Sequence, residues 1–393
     1  MSIPTPAVPP LPIPELTEQE LTHEVLLDSE VFWGNHYDWL KERGYLLRPR
    51  YRPGWVSSWV GSNKWRGGCE DFQALQIYKF NLDATRLSDG MPVMLRRPDP
   101  PSRSNEVKIT QVFSSASIDR RNHCAPIYET ISLPEPDPGE RNSVVIMPFL
   151  VEWNEPEFET VGEVVDFCTQ VFEGLEYIHS LNVAHNDAKF DNIMMDWSPL
   201  YAHAPHPFRT SLRRDWSGPS SPRSRTLYPV KYYFIDWDLS ELHDRSASTP
   251  IRVPPGYGGD QSVPEFQRNE LCDPFAVDVY CLGNVFRTKL IEGDIYCSPR
   301  RNVDFLKGLI SDMTHDDPAK RPTMSQVVTR FEKIRKGLWW WKLRSRVSDK
   351  NVPLLLHWLY SPIHWAVQLS YIVRRIPAIP DYTRNSYHGI SEV

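Results

Sequence analysis

Apolar and polar positions divide the chain into a strand-rich first part and a helix-rich second part. Near the start, "LTEQELTHEVLLDSEVFWGNHYDWLKERGY" combines acidic starts with apolar residues at helical spacing and predicts helix. "YRPGWVSSWVGSNKWRGG" carries no period; its tryptophans predict an irregular segment that packs on something. From "LQIYKFNLDATRLSDGMPVMLRR" onward short strand patterns appear, with "SDG" as the hairpin turn between two of them. "EVKITQVFSS" reads as helix and "SVVIMPFL" as a buried strand ending at Pro148. Within "TVGEVVDFCTQVFEGLEYIHSLNV", Val161, Val164, Val165, Cys168, Val171, Phe172, Leu175 and Ile178 form the apolar face of a long helix. "NIMMD" and "KYYFIDWD" predict two further strands. The insertion between them, 196–230, is rich in Pro, Ser and Arg and reads as a surface loop, open to phosphorylation or to a docking partner. Helices dominate after residue 270.

Composition narrows the class. A chain of 393 residues can form two or three lobes with a substantial core. Its 40% hydrophobic and 24% charged residues are ordinary for a soluble globular protein. A net charge of −6 argues against nucleic-acid binding through bulk charge. The 36 Pro and 14 Trp point to rigid loops and large aromatic anchors. Residues 1–16 are Pro-rich and predict an extended tail, solvated or offered to a Pro-binding module. The N-terminus has neither the basic patch nor the apolar stretch of a secretory signal. Six scattered Cys without a CxxC read as reduced thiols in a cytoplasmic or nuclear protein.

The chemistry concentrates in "HNDAKFDN", residues 185–192, which follows directly on the long helix. An Asp stands two places after a His, a Lys two further on, and an Asn after that. With "FID" at the end of a strand, two Asp and an Asn gather at strand ends. Such hard oxygen ligands suit magnesium shared with phosphate oxygens. Phosphoryl transfer asks for that metal, for positive charge on the phosphates and for a group that orients the nucleophile.

In this order the motifs resemble the protein kinase fold, over roughly residues 75–335. The resemblance implies an α+β, two-lobed fold with a small strand-rich N-lobe and a large helical C-lobe. It further implies ATP and Mg as cofactors and a protein substrate phosphorylated on Ser or Thr. Asp187 would accept the substrate hydroxyl proton, Lys189 would touch the transferring phosphate, and Asn192 and Asp236 would hold magnesium. "SVPEF" and "DDPAKRPT" match the ends of a structural pair, Glu265 with Arg321, and "DVYCLG" brings Asp278 to anchor the catalytic loop beside His185. Glu106 matches the C-helix glutamate. Met147, at the gatekeeper position, and Leu150 join the expected ATP-binding set. The "DWSG" insertion and "WKLRSR" tail resemble an expanded kinase-like family of fungi. The expected segments are a poorly ordered tail (1–30), a Trp-rich extension (31–74), an N-lobe (75–150), a C-lobe (151–337) and a basic, apolar tail (338–393).

Four departures from the family pattern stand out. No GxGxxG precedes the strands. The strand-three lysine is replaced by Arg96, whose fork is wider and more rigid than an ammonium. Lys79 in "IYKF" is the alternative source of that charge, as in the with-no-lysine kinases, or else a surface lysine. Asn186 replaces the Arg that would pair with a phosphorylated loop, which makes Ser246, Ser248 and Thr249 poor switch sites. Trp237 and Asp238 replace Phe and Gly after the metal Asp. Each lost electrostatic group costs on the order of 10²–10³ in turnover, against about 1–100 per second for ordinary kinases. The expectation is therefore a phosphotransferase of weak or atypical activity. Two alternatives remain: a pseudokinase scaffold, and a small-molecule kinase of aminoglycoside or choline type, which "FIDWD" also resembles.

The stretch "VPLLLHWLYSPIHWAVQLSYIV" (352–373) is flanked by Lys342, Arg344 and Arg346 and by Arg374 and Arg375. Its length would allow a span of about 20 residues, but Pro362, His357, His364 and Gln368 interrupt it. An interfacial helix making peripheral membrane contact and a helix packed on the large lobe are the other readings.

Overall fold

The computed structural model describes residues 24–73, 80–100, 105–115, 119–137, 139–244, 250–256 and 259–383. The chain is mixed α+β and divides into two compact units, Met1–Met91 and Pro92–Val393. The division falls inside the segment 75–150 that the sequence reading gives to one lobe.

In the first unit, helices α1 (Asp28–Asn35) and α2 (Tyr37–Glu42) lead into β1 (Tyr45–Leu47), which pairs antiparallel with β2 (Asn81–Arg86). The turn after β2 is closed by the Arg86 N–H donating to the Met91 carbonyl at 2.8 Å, with Gly90 at φ 75°. A non-glycine residue there would strain the backbone. The core of this unit is ionic as well as apolar. Arg50 and Glu30 are both fully buried and meet at 2.7 Å, while the Tyr51 hydroxyl donates to Glu30 at 2.9 Å. Either charge alone would be a severe burial cost, so the pair has to assemble together. The Trp-rich segment packs, as its pattern predicts: Trp59 meets Phe72 edge-on at 5.5 Å, and the Trp55 indole donates to Asp71 at 3.1 Å.

In the second unit, β5 (Ser143–Pro148) lies antiparallel between β3 (Pro92–Arg96) and β4 (Glu129–Ser132). Helix α3 (Glu106–Ser115) falls where the sequence predicts it. Helix α4 (Val161–Ser180) starts at a Thr160 cap, whose hydroxyl accepts the Glu163 N–H at 3.2 Å. All eight predicted apolar positions of α4 are buried. Phe172 packs against Phe286 of α6 (Pro274–Phe286) and Phe331 of α8 (Met324–Gly337) at 4.9 and 5.2 Å. Between these helices lie α5 (Pro264–Arg268) and α7 (Lys307–Met313).

The insertion 196–230 departs from its expectation as a surface loop. Trp197, Leu200, Tyr201 and Arg225 are buried, and Arg225 donates to the Trp153 carbonyl at 3.0 Å while its guanidinium lies 4.7 Å from the Phe158 ring centre. Thr226 donates to Glu163 at 2.9 Å. A polar composition hides these anchors because the buried guanidinium meets a backbone carbonyl and an aromatic face in place of water.

The C-terminal region is built into the same unit. After α9 (Trp340–Leu343), Val161 N–H donates to Ser345 O and Val347 N–H to Glu159 O, each at 3.0 Å. Helix α10 (Leu354–Val373) runs on through Pro362, where the sequence predicts an interruption. The following segment crosses the start of α4, and the Tyr382 hydroxyl donates to Asp166 at 2.9 Å. Among the described residues, no helix is long and apolar enough to cross a membrane.

Candidate functional site

The loop 185–192 leaves the short strand β6 (Val183–Ala184) and enters β7 (Ile193–Met195). Asp278 of α6 holds it from beneath. One of its oxygens accepts the His185 N–H at 2.7 Å and meets His179 Nε2 at 2.9 Å; the other accepts the Asn186 N–H at 2.7 Å. Asp278 is completely buried, so these donors take the place of water. The His185 ring is buried 4.7 Å from Trp237, and burial lowers its pKa against the pull of Asp278, Asp187 and Asp236. Trp237 lies buried between His185 and Phe113, the latter 4.6 Å away on α3.

Lys189 and Asn192 both reach Asp187. Lys189 Nζ is 2.9 Å from Oδ2, and the Asn192 amide donates to the same oxygen at 2.7 Å. Burial pushes the Asp187 carboxyl above its usual range, and Lys189 and Asn192 draw it back. Burial alone would lower Lys189, yet its hydrogen bond with Asp187 and the charges of Asp187, Asp191 and Asp236 raise it. Strand pairing brings in the second carboxylate. Phe234 of β8 (Tyr232–Phe234) faces Ile193, and Ile235 N–H donates to Asn192 O at 3.0 Å, so Asp236 stands beside the end of the loop. Asp236 has φ 68°, a conformation rare for a non-glycine residue.

Arg96 closes the site. Its Nη2 lies 2.6 Å from Asp236 and 2.6 Å from Asp238, and its Nε forms an ion pair with Glu106 at 2.9 Å. Burial first, and then the Asp238 and Asp236 charges, push the Glu106 carboxyl up to about 8 against the pull of Arg96. Asn192 turns its NH2 to Asp187, and Asp236 is taken by Arg96. Among the described residues no group of three or more His, Cys, Asp or Glu is disposed to hold a metal. With Arg96 seated there, Asn192 and Asp236 do not fit a magnesium ion.

The remaining predicted residues lie further out. Glu265 and Arg321 form a buried two-pronged pair at 2.8 and 2.6 Å. Met147 pairs with Met94 across β5 and β3 and is half-buried. Leu150 is buried in an apolar cluster with Ala125 and Tyr233. Lys79, Ser246, Ser248 and Thr249 lie outside the described residues. Two features escape sequence reasoning. Asp238 joins Arg96, a contact across 142 positions that no local signal announces. Gly259 packs on Asp187 so closely that a Cβ there would stand 2.6 Å from Oδ1; the glycine run "GYGGD" was the only hint.

No protein-family model matches this chain, and comparison with the curated proteins gives no match.

Proposed function

We propose that the chain is a kinase-like phosphotransferase. In this reading β3, β4, β5 and α3 make the small lobe, and α4 onward the large, helical one. The observation that carries it is the convergence of Lys189 and Asn192 on Asp187, in a loop fixed from below by buried Asp278. A substrate Ser or Thr hydroxyl would pass its proton to Asp187 while its oxygen bonds to the γ-phosphorus of ATP. The P–O bond to the β-phosphate breaks and ADP leaves. Lys189 would balance charge on the transferring group, and the raised pKa of Asp187 suits it to take a proton. The Glu265–Arg321 pair and the Asp278 anchor favour a protein over a small-molecule acceptor, because they match the large-lobe motifs of protein kinases.

One observation favours a second reading, a pseudokinase acting as an interaction scaffold. Arg96 bridges Asp236 and Asp238, and Gly259 covers Asp187, so both carboxylates are already occupied. Melting temperature with ATP, with and without magnesium, separates the two. A ligand that binds only the folded state stabilises by about 2.7 kcal/mol at a hundred times its Kd. A magnesium-dependent rise, with phosphate transfer to a mixed protein substrate lost in Asp187→Asn, supports the enzyme. No shift at millimolar nucleotide leaves the scaffold.

A further inference from the structure

The outer surface of the C-terminal region carries chemistry that the phosphotransferase reading leaves unused. Trp339, Trp340 and Trp341 are 71, 60 and 51% exposed, whereas Trp33, Trp153 and Trp237 of the same chain are fully buried. Three consecutive indoles in water are unfavourable unless something covers them. Beside them, α10 is turned the wrong way round for a helix lying on a protein in water. Among its described side chains, His364 Nε2 bonds to the Arg344 carbonyl at 2.8 Å, and the buried Gln368 accepts from Arg344 at 3.1 Å, both facing inward beside buried Tyr371. Ile363, Val367, Leu369 and Val373 face outward, exposed at 65, 41, 57 and 83%. Arg344 directly follows α9, so these contacts fix the tryptophan helix against α10.

The charge around this surface selects its occupant. Between Lys333 and Arg375 there are nine basic residues against one acidic, in a chain whose net charge is −6. Lys333, Lys336, Arg374 and Arg375 are exposed, at the end of α8 and just past α10. Indoles with an outward apolar stripe suit the headgroup boundary of a bilayer, and clustered cations suit anionic lipid. A second copy of the chain would bring the same basic rim against itself, which like charge opposes.

We propose that the exposed indoles of Trp339, Trp340 and Trp341, the outward face of α10 and the bordering cations form a docking surface for an anionic membrane, on which α10 lies in the plane of the interface. The test is flotation of the full chain with phosphatidylcholine vesicles, with and without phosphatidylserine. Two variants accompany it: Trp339→Ser/Trp340→Ser/Trp341→Ser and Arg374→Ser/Arg375→Ser. All these positions are exposed, and unchanged melting temperatures verify that the fold is kept. The wild-type chain should float only with phosphatidylserine and less so at high salt. Each removed cation should weaken partitioning about five-fold, and the triple tryptophan variant should stay at the bottom. Three results would overturn the proposal: no flotation on phosphatidylserine, flotation unchanged in the tryptophan variant, or a concentration-dependent dimer that the same variant abolishes.

Discussion

Replacing Arg96 by methionine tests the electrostatics at the centre of the candidate site. The guanidinium lies within 3 Å of three carboxylates, those of Glu106, Asp236 and Asp238. Methionine keeps much of the side-chain volume and removes the cation, leaving the three acids facing one another. Breaking a buried pair in this way costs about 3–5 kcal/mol. The lower end applies because Asp236 and Asp238 are each about a third exposed and water screens them. A loss of about 3 kcal/mol corresponds to a fall in Tm on the order of 5 °C for a chain of this size. The vacated carboxylates should then take up a divalent cation. Millimolar magnesium should therefore raise the Tm of Arg96→Met while leaving the wild-type protein unchanged in the absence of nucleotide. Adding Glu106→Gln should change the Tm little further, since a carboxyl already lifted to about 8 is protonated at neutral pH once the cation is gone. Thermal unfolding followed by tryptophan fluorescence reads all of these. If Arg96→Met melts within a degree of wild type, or ignores magnesium, the view of Arg96 as the site's built-in cation is wrong.

Two further outcomes follow from groups away from the site. Burial lifts Asp166 from its ordinary 3.8 to about 7, against the opposing hydrogen bonds from Tyr382 and Gln170. The folded state then binds more protons than the unfolded one between these values, so stability should fall as pH rises through that window, by at most about 4 kcal/mol. Asp166→Asn should flatten this dependence, and equal slopes in a pH series of melting curves would refute the assignment. At Gly162 an added Cβ would run into the backbone carbonyl of Ala378. Gly162→Ala should cost about 1–3 kcal/mol and open residues 378–382 to protease, and a protected segment with unchanged Tm would contradict the contact.

Much of the second unit was legible from pattern alone. Helix α4 could be read because a one-sided apolar period buried on a single face leaves a strong signal. The strands β7 and β8 could be read because short apolar runs ended at polar loops. The spacing along one loop places Asp187, Lys189 and Asn192 together, but it assigns Lys189 to phosphate and Asn192 to magnesium rather than to Asp187. What stayed hidden depends on partners far away in the chain. The buried Glu30–Arg50 pair looks like two surface charges until the fold joins them. Arg225 reads as part of a solvated loop until Trp153 and Phe158 surround it. Pro362 reads as a helix breaker, yet α10 continues through it.

The strap formed by residues 378–382 bears on the order in which the protein can be made. Its contacts fall on Gly162, Asp166 and Val230, residues synthesised far earlier than the strap itself. On the ribosome, α4 must therefore wait with its first turns uncovered and the Asp166 carboxyl without its Tyr382 partner. Synthesis of residues 378–382 thus completes the packing around α4, and a stall before residue 378 would hand the quality-control machinery a nascent chain with that helix open at one end.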